Sequence, residues 1–243
     1  MNKVIHYCWF GNNPLGVKEQ KCIASWKKFF PDFEIKEWNE TNFDVKCNAY
    51  VEQAYNNKKY AFVSDYVRFE ILHKYGGLYF DTDVEVVKPM YDLLENYAFA
   101  GFETQTQVAP GLVVWAKEPE NEVFAKMLSF YDNMNFVNED GSLNMITVCN
   151  YFTDILKQYG LVQNNTYQVL DNGFVIYPNE YFCPYNNETG VMNKTENTYS
   201  IHWYAMSWIP KKQLYISKIT RIIHKYFGVN SLKWLNKLLK RKS

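Results

Sequence analysis

Two aspartates, Asp81 and Asp83, follow the apolar run Leu78-Tyr79-Phe80. Carboxylates at i and i+2 on an extended segment point to the same side of it. At the end of a buried strand, that side is the crevice where open α/β sheets take their ligands. Hard oxygen donors suit Mg2+ or Mn2+, whose other positions would be filled by water and a diphosphate. Such a cation neutralises charge on a departing nucleotide diphosphate. Isolated D-x-D pairs also occur as solvated surface acids. Here the preceding apolar run and the helix-ending pair Gly76-Gly77 set the pair apart.

Other residues could act beside this pair. Asp65 and Arg68 are three apart in a helical stretch and so share a face, as a structural ion pair or as ligand contacts. An arginine fork suits carboxylates, hydroxyls and phosphates alike. Trp9 ends the first apolar run and is either a core residue or a cleft-lining ring. His6 is as compatible with a satisfied buried histidine as with a ligand contact. Tyr79 alternates away from Phe80 and either borders a ligand or packs. His202 is an acceptable metal ligand through its imidazole. The chain holds no Ser/His/Asp or Cys/His arrangement, no P-loop and no G-x-G-x-x-G.

The elements that must position these residues follow from periodicity. Val4–Phe10 reads as a buried strand closed by Gly11-Asn12-Asn13-Pro14, and residues 17–29 as a helix stopped by Pro31. Residues 33–38 alternate as a strand, giving a β-α-β order and hence a parallel sheet. Helices are expected over 48–56, 60–75, 119–133 and 145–159. Strands are expected at 78–80, 84–89, 99–102 and 112–115, with extended segments at 175–178 and 199–203.

With 243 residues, 47% of them hydrophobic, the chain can form one substantial α/β domain. The aromatic fraction of 18% is high, enough to fill a core and still line a groove. The five cysteines are an odd number without a C-x-x-C pair. That argues against a disulfide framework or structural zinc site and fits a reducing cytosol. The opening residues do not form a secretory signal, and no run reaches the ~18 apolar residues of a membrane span.

The zero net charge hides an asymmetry. Residues 211–243 hold ten Lys/Arg and no Asp/Glu, which leaves 16 basic and 26 acidic residues in 1–210. Such an acidic body does not look like a nucleic-acid binder. The basic tail is divided by Gly228 into two amphipathic segments, which suit an anionic membrane surface. A basic face packed on the acidic body, or an oligomer contact, would satisfy the same pattern. Two regions are expected: a catalytic domain over 1–210 and a helical tail over 211–243.

The run Ala61-Phe62-Val63-Ser64-Asp65-Tyr66-Val67-Arg68-Phe69-Glu70-Ile71-Leu72-His73-Lys74-Tyr75-Gly76-Gly77-Leu78-Tyr79-Phe80-Asp81-Thr82-Asp83 resembles the sugar-binding region of glycosyltransferase family 32. That family includes bacterial capsular and surface polysaccharide transferases and yeast-type initiating mannosyltransferases. The catalytic domains of clostridial glucosylating toxins are more distant relatives. Ile5-His6-Tyr7-Cys8-Trp9-Phe10-Gly11 and Ser200-Ile201-His202-Trp203-Tyr204-Ala205-Met206-Ser207-Trp208 are similar to its first strand and closing motif. The resemblance implies a GT-A fold, a Rossmann-like and mostly parallel sheet flanked by helices. It also implies a nucleotide-sugar donor, a divalent cation and retention of anomeric configuration.

With these surroundings, Asp83 is the preferred direct metal ligand, and Asp81 is placed nearer the ribose or sugar, sharing the metal's water shell. Residue by residue, the resemblance implies that Asp65 and Arg68 contact donor sugar hydroxyls and phosphate, with Ser64 assisting. Trp9 stacks on the base, with His6 and Tyr7 beside it and Gly77 and Tyr79 bordering the donor. His202 or Ser207 completes the metal shell or touches the diphosphate, and Trp208 covers the sugar as part of a lid. The absence of a candidate covalent nucleophile fits front-face substitution. The expected activity is hexosyl transfer from UDP-galactose or UDP-glucose, with GDP-mannose open, to a saccharide or lipid-linked saccharide in surface polysaccharide synthesis. The expected location is the cytoplasm, at the inner face of the membrane.

Two other classes fit parts of the pattern. A haloacid-dehalogenase-like phosphatase also ends an apolar strand in D-x-D, but wants Thr or Val where Glu85 stands and places its motif near the start of the chain. A non-catalytic carbohydrate- or membrane-binding module could hold a structural metal on the pair, but has no need of Arg68 facing a diphosphate.

Overall fold

A computed structural model of the chain describes residues 2–205, 211–228 and 231. The apolar opening forms β1 (Val4–Cys8), and α1 (Val17–Phe29) buries Cys22, Ile23 and Trp26. β2 (Glu34–Trp38) then lies parallel to β1, in register from Val4↔Glu34 to Cys8↔Trp38. Asn48 caps α2 (Ala49–Asn56) by accepting the Val51 N–H at 2.9 Å. α3 (Tyr60–Tyr75) is buried on most of its circumference, as expected of a helix apolar nearly all round. Gly76, at φ +63°, ends it and turns the chain into β3 (Gly77–Tyr79), parallel to β1 on the side away from β2.

The rest of the chain extends this sheet and covers it. β4 (Val84–Val86) leaves it, and β5 (Ala98–Gly101) and β6 (Val114–Ala116) return to it. α4 (Glu122–Asp132) and α5 (Val148–Lys157) precede β7 (Gln168–Val169) and β8 (Phe174–Tyr177). α6 (Asn179–Phe182), β9 (Ser200–His202) and α7 (Lys211–Phe227) follow. The seven-stranded sheet has the order β2-β1-β3-β6-β5-β8-β7. β6 and β7 run against the other strands, so the sheet is mixed but mostly parallel, an α/β architecture.

Period-two alternation splits successive strand residues between two apolar layers. Tyr79, Val114 and Ile176 join Val63, Phe69, Phe124 and Phe152 beneath α2 to α5. Leu78, Trp115 and Val175 join Trp26, Phe30 and Phe99 on the opposite face. The extended stretches beginning at Val84 and ending at Trp203 pair with each other instead of the main sheet. Val84 stands opposite His202 and Val86 opposite Ser200. This small ribbon sets the end of the body beside the aspartate pair.

Candidate functional site: an acidic cleft at the strand ends

β1 and β3 end at a cleft of about 710 Å³. Its lining includes Trp9, Ser64, Asp65, Arg68, Asp81 and Asp83, brought from three segments of chain. The aspartate pair does not sit on an extended strand. Asp81 to Val84 form a tight turn closed by the Val84 N–H on the Asp81 carbonyl at 3.1 Å, and both carboxylates still enter the cleft.

Arg68 organises the floor. Its Nη2 lies 2.9 Å from Asp65 Oδ1 and 3.3 Å from Asp81 Oδ1. Its Nε donates to the Ser64 carbonyl at 3.1 Å, and its guanidinium lies 5.0 Å from the centre of the Tyr79 ring. Tyr79 donates its hydroxyl to the same Asp81 oxygen at 2.9 Å. One buried guanidinium thus serves two carboxylates. Burial pushes the Asp65 carboxyl up to about 7 despite Arg68. Burial also raises Asp81, with Arg68 opposing and Asp83 reinforcing the shift.

Asp83 is held differently. Its Oδ1 lies 3.2 Å from His202 Nε2, and its Oδ2 accepts the Ala205 N–H at 2.7 Å. Its backbone carbonyl accepts the Trp203 N–H at 3.0 Å. Burial works against its charge, but His202 and these donors hold it below the usual carboxylate range. Burial likewise opposes the His202 charge, yet Asp83 raises that imidazole well above its ordinary value. His202 therefore meets the aspartate pair as a partner of Asp83. Among the described residues no three His, Cys, Asp or Glu side chains are grouped to hold a metal ion. What the floor offers a cation is the hard-oxygen pair Asp81 and Asp83.

Periodicity and spacing missed Glu103. It lies just past β5, lines the cleft, and places Oε1 3.7 Å from His202 Nδ1. Burial raises its carboxyl, with His202 and a hydrogen bond from Tyr204 opposing. The signal was available: Phe99-Ala100-Gly101-Phe102-Glu103 is an acid directly after an apolar strand, the same pattern that marked Asp81.

Four residues expected at the donor lie behind the cleft wall. His6 is 1% exposed, and both its ring nitrogens are used within the fold, by the Gly76 carbonyl at 3.1 Å and Trp38 Nε1 at 3.2 Å. Tyr7 donates its hydroxyl to Glu37 and packs edge-on against Trp26. Gly77 backs onto β1, where a Cβ would lie 2.9 Å from the Val4 carbonyl. Tyr79 is buried and reaches the site only through Asp81 and Arg68. Trp9, by contrast, is part-exposed in the cleft, its indole N–H held by the Asn13 carbonyl at 2.6 Å. Ser207 and Trp208 lie outside the described residues.

Residues 16–100 match the family described as glycosyltransferase sugar-binding region containing DXD motif. No curated protein matches the chain. Among solved structures, the PaToxG glycosyltransferase is similar at 20% identity over 65% of this chain and 69% of its own, with a TM-score of 0.49. A glycosyltransferase involved in the glycosylation of the major capsid of PBCV-1 is similar at 9% identity over 89% of this chain and 98% of its own, with a TM-score of 0.48. The galactosyltransferase LgtC, solved in complex with donor and acceptor sugar analogs, is similar at 11% identity over 89% of this chain and 93% of its own, with a TM-score of 0.38. The segment that carries Asp65, Arg68, Asp81 and Asp83 into the cleft is thus similar to the DXD-containing sugar-binding region of glycosyltransferases.

Proposed function

We propose that the chain is a GT-A-type glycosyltransferase that moves a hexose from a nucleotide sugar to a saccharide or lipid-linked saccharide, with retention. One observation carries the reading: Asp65, Arg68, Asp81 and Asp83 converge on the floor of a cleft that Trp9 borders. The indole offers a face to the nucleotide base. Arg68, with Asp65 and Ser64, offers charge-assisted bonds to sugar hydroxyls and phosphate oxygens. Residues 1–210 form the catalytic unit and 211–243 an appended basic tail.

The donor set fits Mn2+ or Mg2+. Asp81 Oδ1 is taken by Arg68 and Tyr79, and its Oδ2 faces the backbone of Gly111. The Asp83 carboxylate keeps spare lone pairs beside its two partners. A cation there would be held by these two side chains, with water and diphosphate filling the other positions, as Mg2+ prefers. It would supply charge neutralisation to the leaving diphosphate. The protein's own part is to fix both carboxylates, through Arg68 and Tyr79 at Asp81 and through His202 and Ala205 at Asp83. UDP-galactose or UDP-glucose is the proposed donor and surface polysaccharide, such as capsule, the proposed product.

Calorimetry of UDP-galactose and UDP-glucose binding with Mn2+ tests this reading. Tight binding, lost in Asp81→Asn and Asp83→Asn variants that keep their circular dichroism spectrum, is expected. Folded protein that binds no nucleotide sugar in Mn2+ would sink it.

A further inference from the structure

α7 carries the amphipathic pattern of a helix that should lay its apolar side on the body. Near its end the polar residues Arg221 and His224 are the ones that meet the body. Arg221 makes three hydrogen bonds to the 185–188 segment: Nε to the Asn187 carbonyl at 2.9 Å, Nη1 to the Tyr185 hydroxyl at 2.7 Å, and Nη2 to Asn187 Oδ1. The Tyr185 ring lies under its guanidinium, 5.6 Å away. Gly190 leaves the room this needs, since a Cβ there would lie 2.8 Å from Arg221 Cδ. One turn on, His224 Nδ1 meets the Glu188 carbonyl at 3.3 Å. Ser217 and Thr220, spaced to share the face of Arg221 and His224, are half-buried.

Among the described side chains of α7, three large apolar ones face outward, while Ile223 is half-buried. Ile222 is 62% exposed, Tyr226 73% and Phe227 76%. Ile222 and Tyr226 are i and i+4, hence neighbours on one face. Large apolar side chains grouped on an exposed face mark an interaction surface. The charge around them names the partner. Lys225 is exposed beside Tyr226, and residues 211–243 hold ten Lys/Arg without a single Asp/Glu. An interface that is both anionic and apolar satisfies all of these at once, and a lipid surface carrying acidic headgroups is such an interface.

We propose that the outward face of α7 docks on an anionic membrane, with Arg221 as the strut that fixes the body to it. The strut ends at the cleft, because Asn187 is also a lining residue. Docking therefore sets the direction in which the cleft faces the lipid. That this arrangement presents a lipid-linked acceptor rests on the glycosyltransferase reading; the membrane contact itself does not.

Flotation of the full chain with phosphatidylcholine vesicles, with and without phosphatidylserine, tests the proposal. The chain is expected to float only with phosphatidylserine present, and less in high salt. The double variant Ile222→Glu, Tyr226→Glu should partition at least about tenfold less. Its circular dichroism and its Mn2+-dependent donor binding without vesicles should be unchanged. Absence of flotation, or equal flotation of the double variant, overturns the proposal. So does a wild-type dimer in light scattering that the double variant abolishes, which would make this face a contact between copies. Flotation without donor binding would leave the membrane contact standing and remove the glycosyltransferase reading instead.

Discussion

Gly111 stands where Asp81 leaves no space for a side chain: a Cβ there would lie 2.1 Å from Asp81 Oδ2 and 3.2 Å from Arg68 Nη1. The same residue accepts the Asp81 N–H through its carbonyl at 3.0 Å. Gly111→Ala should therefore act on the site and spare the fold, because the group that must move is the free end of a carboxylate. A misplacement of about 1 Å at a reacting group can cost about a hundredfold in rate. We expect Mn2+-dependent donor cleavage to fall by that order while the melting temperature changes by a few degrees at most. Full activity in the alanine variant would refute the claim that Asp81 is fixed from this side.

Replacing Arg68 has a different signature. Arg68→Met strands two carboxylates, Asp65 and Asp81, that share its Nη2. Removing one partner of a buried ion pair costs about 3–5 kcal/mol. The cost should fall with pH, since a carboxyl that burial already raises escapes it by taking up a proton. Urea unfolding of wild type and variant checks this. A larger loss near pH 8 than near pH 5 is expected, and a pH-independent loss would exclude the shared-guanidinium account.

Trp9 should separate binding from stability. Its ring is part-exposed and lines the cleft, so Trp9→Ala removes little from the core. Base stacking on an aromatic ring is worth about 1–3 kcal/mol. The Kd for UDP with Mn2+ is expected to rise about tenfold, with Trp9→Phe between the two. Calorimetry that finds equal affinity in all three would place the base elsewhere.

Where the sequence was readable, one physical signal dominated its segment. α3 and its Gly76 stop follow from a long apolar pattern ended by paired glycines, and the β1-α1-β2 unit from a change of period. The antiparallel entry of β6 was hidden, because Val114-Trp115-Ala116 is an apolar run with no mark of direction. β7 and α6 have two and four residues, too few for any period. The contact of His202 with Asp83 depends on the pairing of β4 with β9, which joins residues far apart in sequence. Asp65, Arg68, Asp81 and Asp83 line the cleft and lie on or next to the best-patterned elements. His6, Tyr7 and Gly77 share segments with cleft residues but lie short of the strand ends, where their neighbours are inside the fold, and proximity in sequence does not reveal that.

His6 accordingly belongs to stability. Its Nε2 must donate to the Gly76 carbonyl, and its Nδ1 must accept from Trp38 Nε1. That pattern demands the neutral ring, since an imidazolium would set its second N–H against the indole N–H. Burial lowers its pKa from 6.5 to about 4, with the Gly76 bond opposing and Lys36 reinforcing. Between these values the unfolded chain binds a proton that the folded chain refuses, so stability rises with pH. The contribution is complete above about pH 6.5 and is lost as pH falls toward about 4, a total of about 3 kcal/mol. Urea unfolding near pH 7.5 and near pH 5 should show a weaker pH dependence in His6→Gln than in wild type. The ring can also be followed directly: an imidazolium signal from folded His6 near pH 5.5 would contradict the buried neutral tautomer.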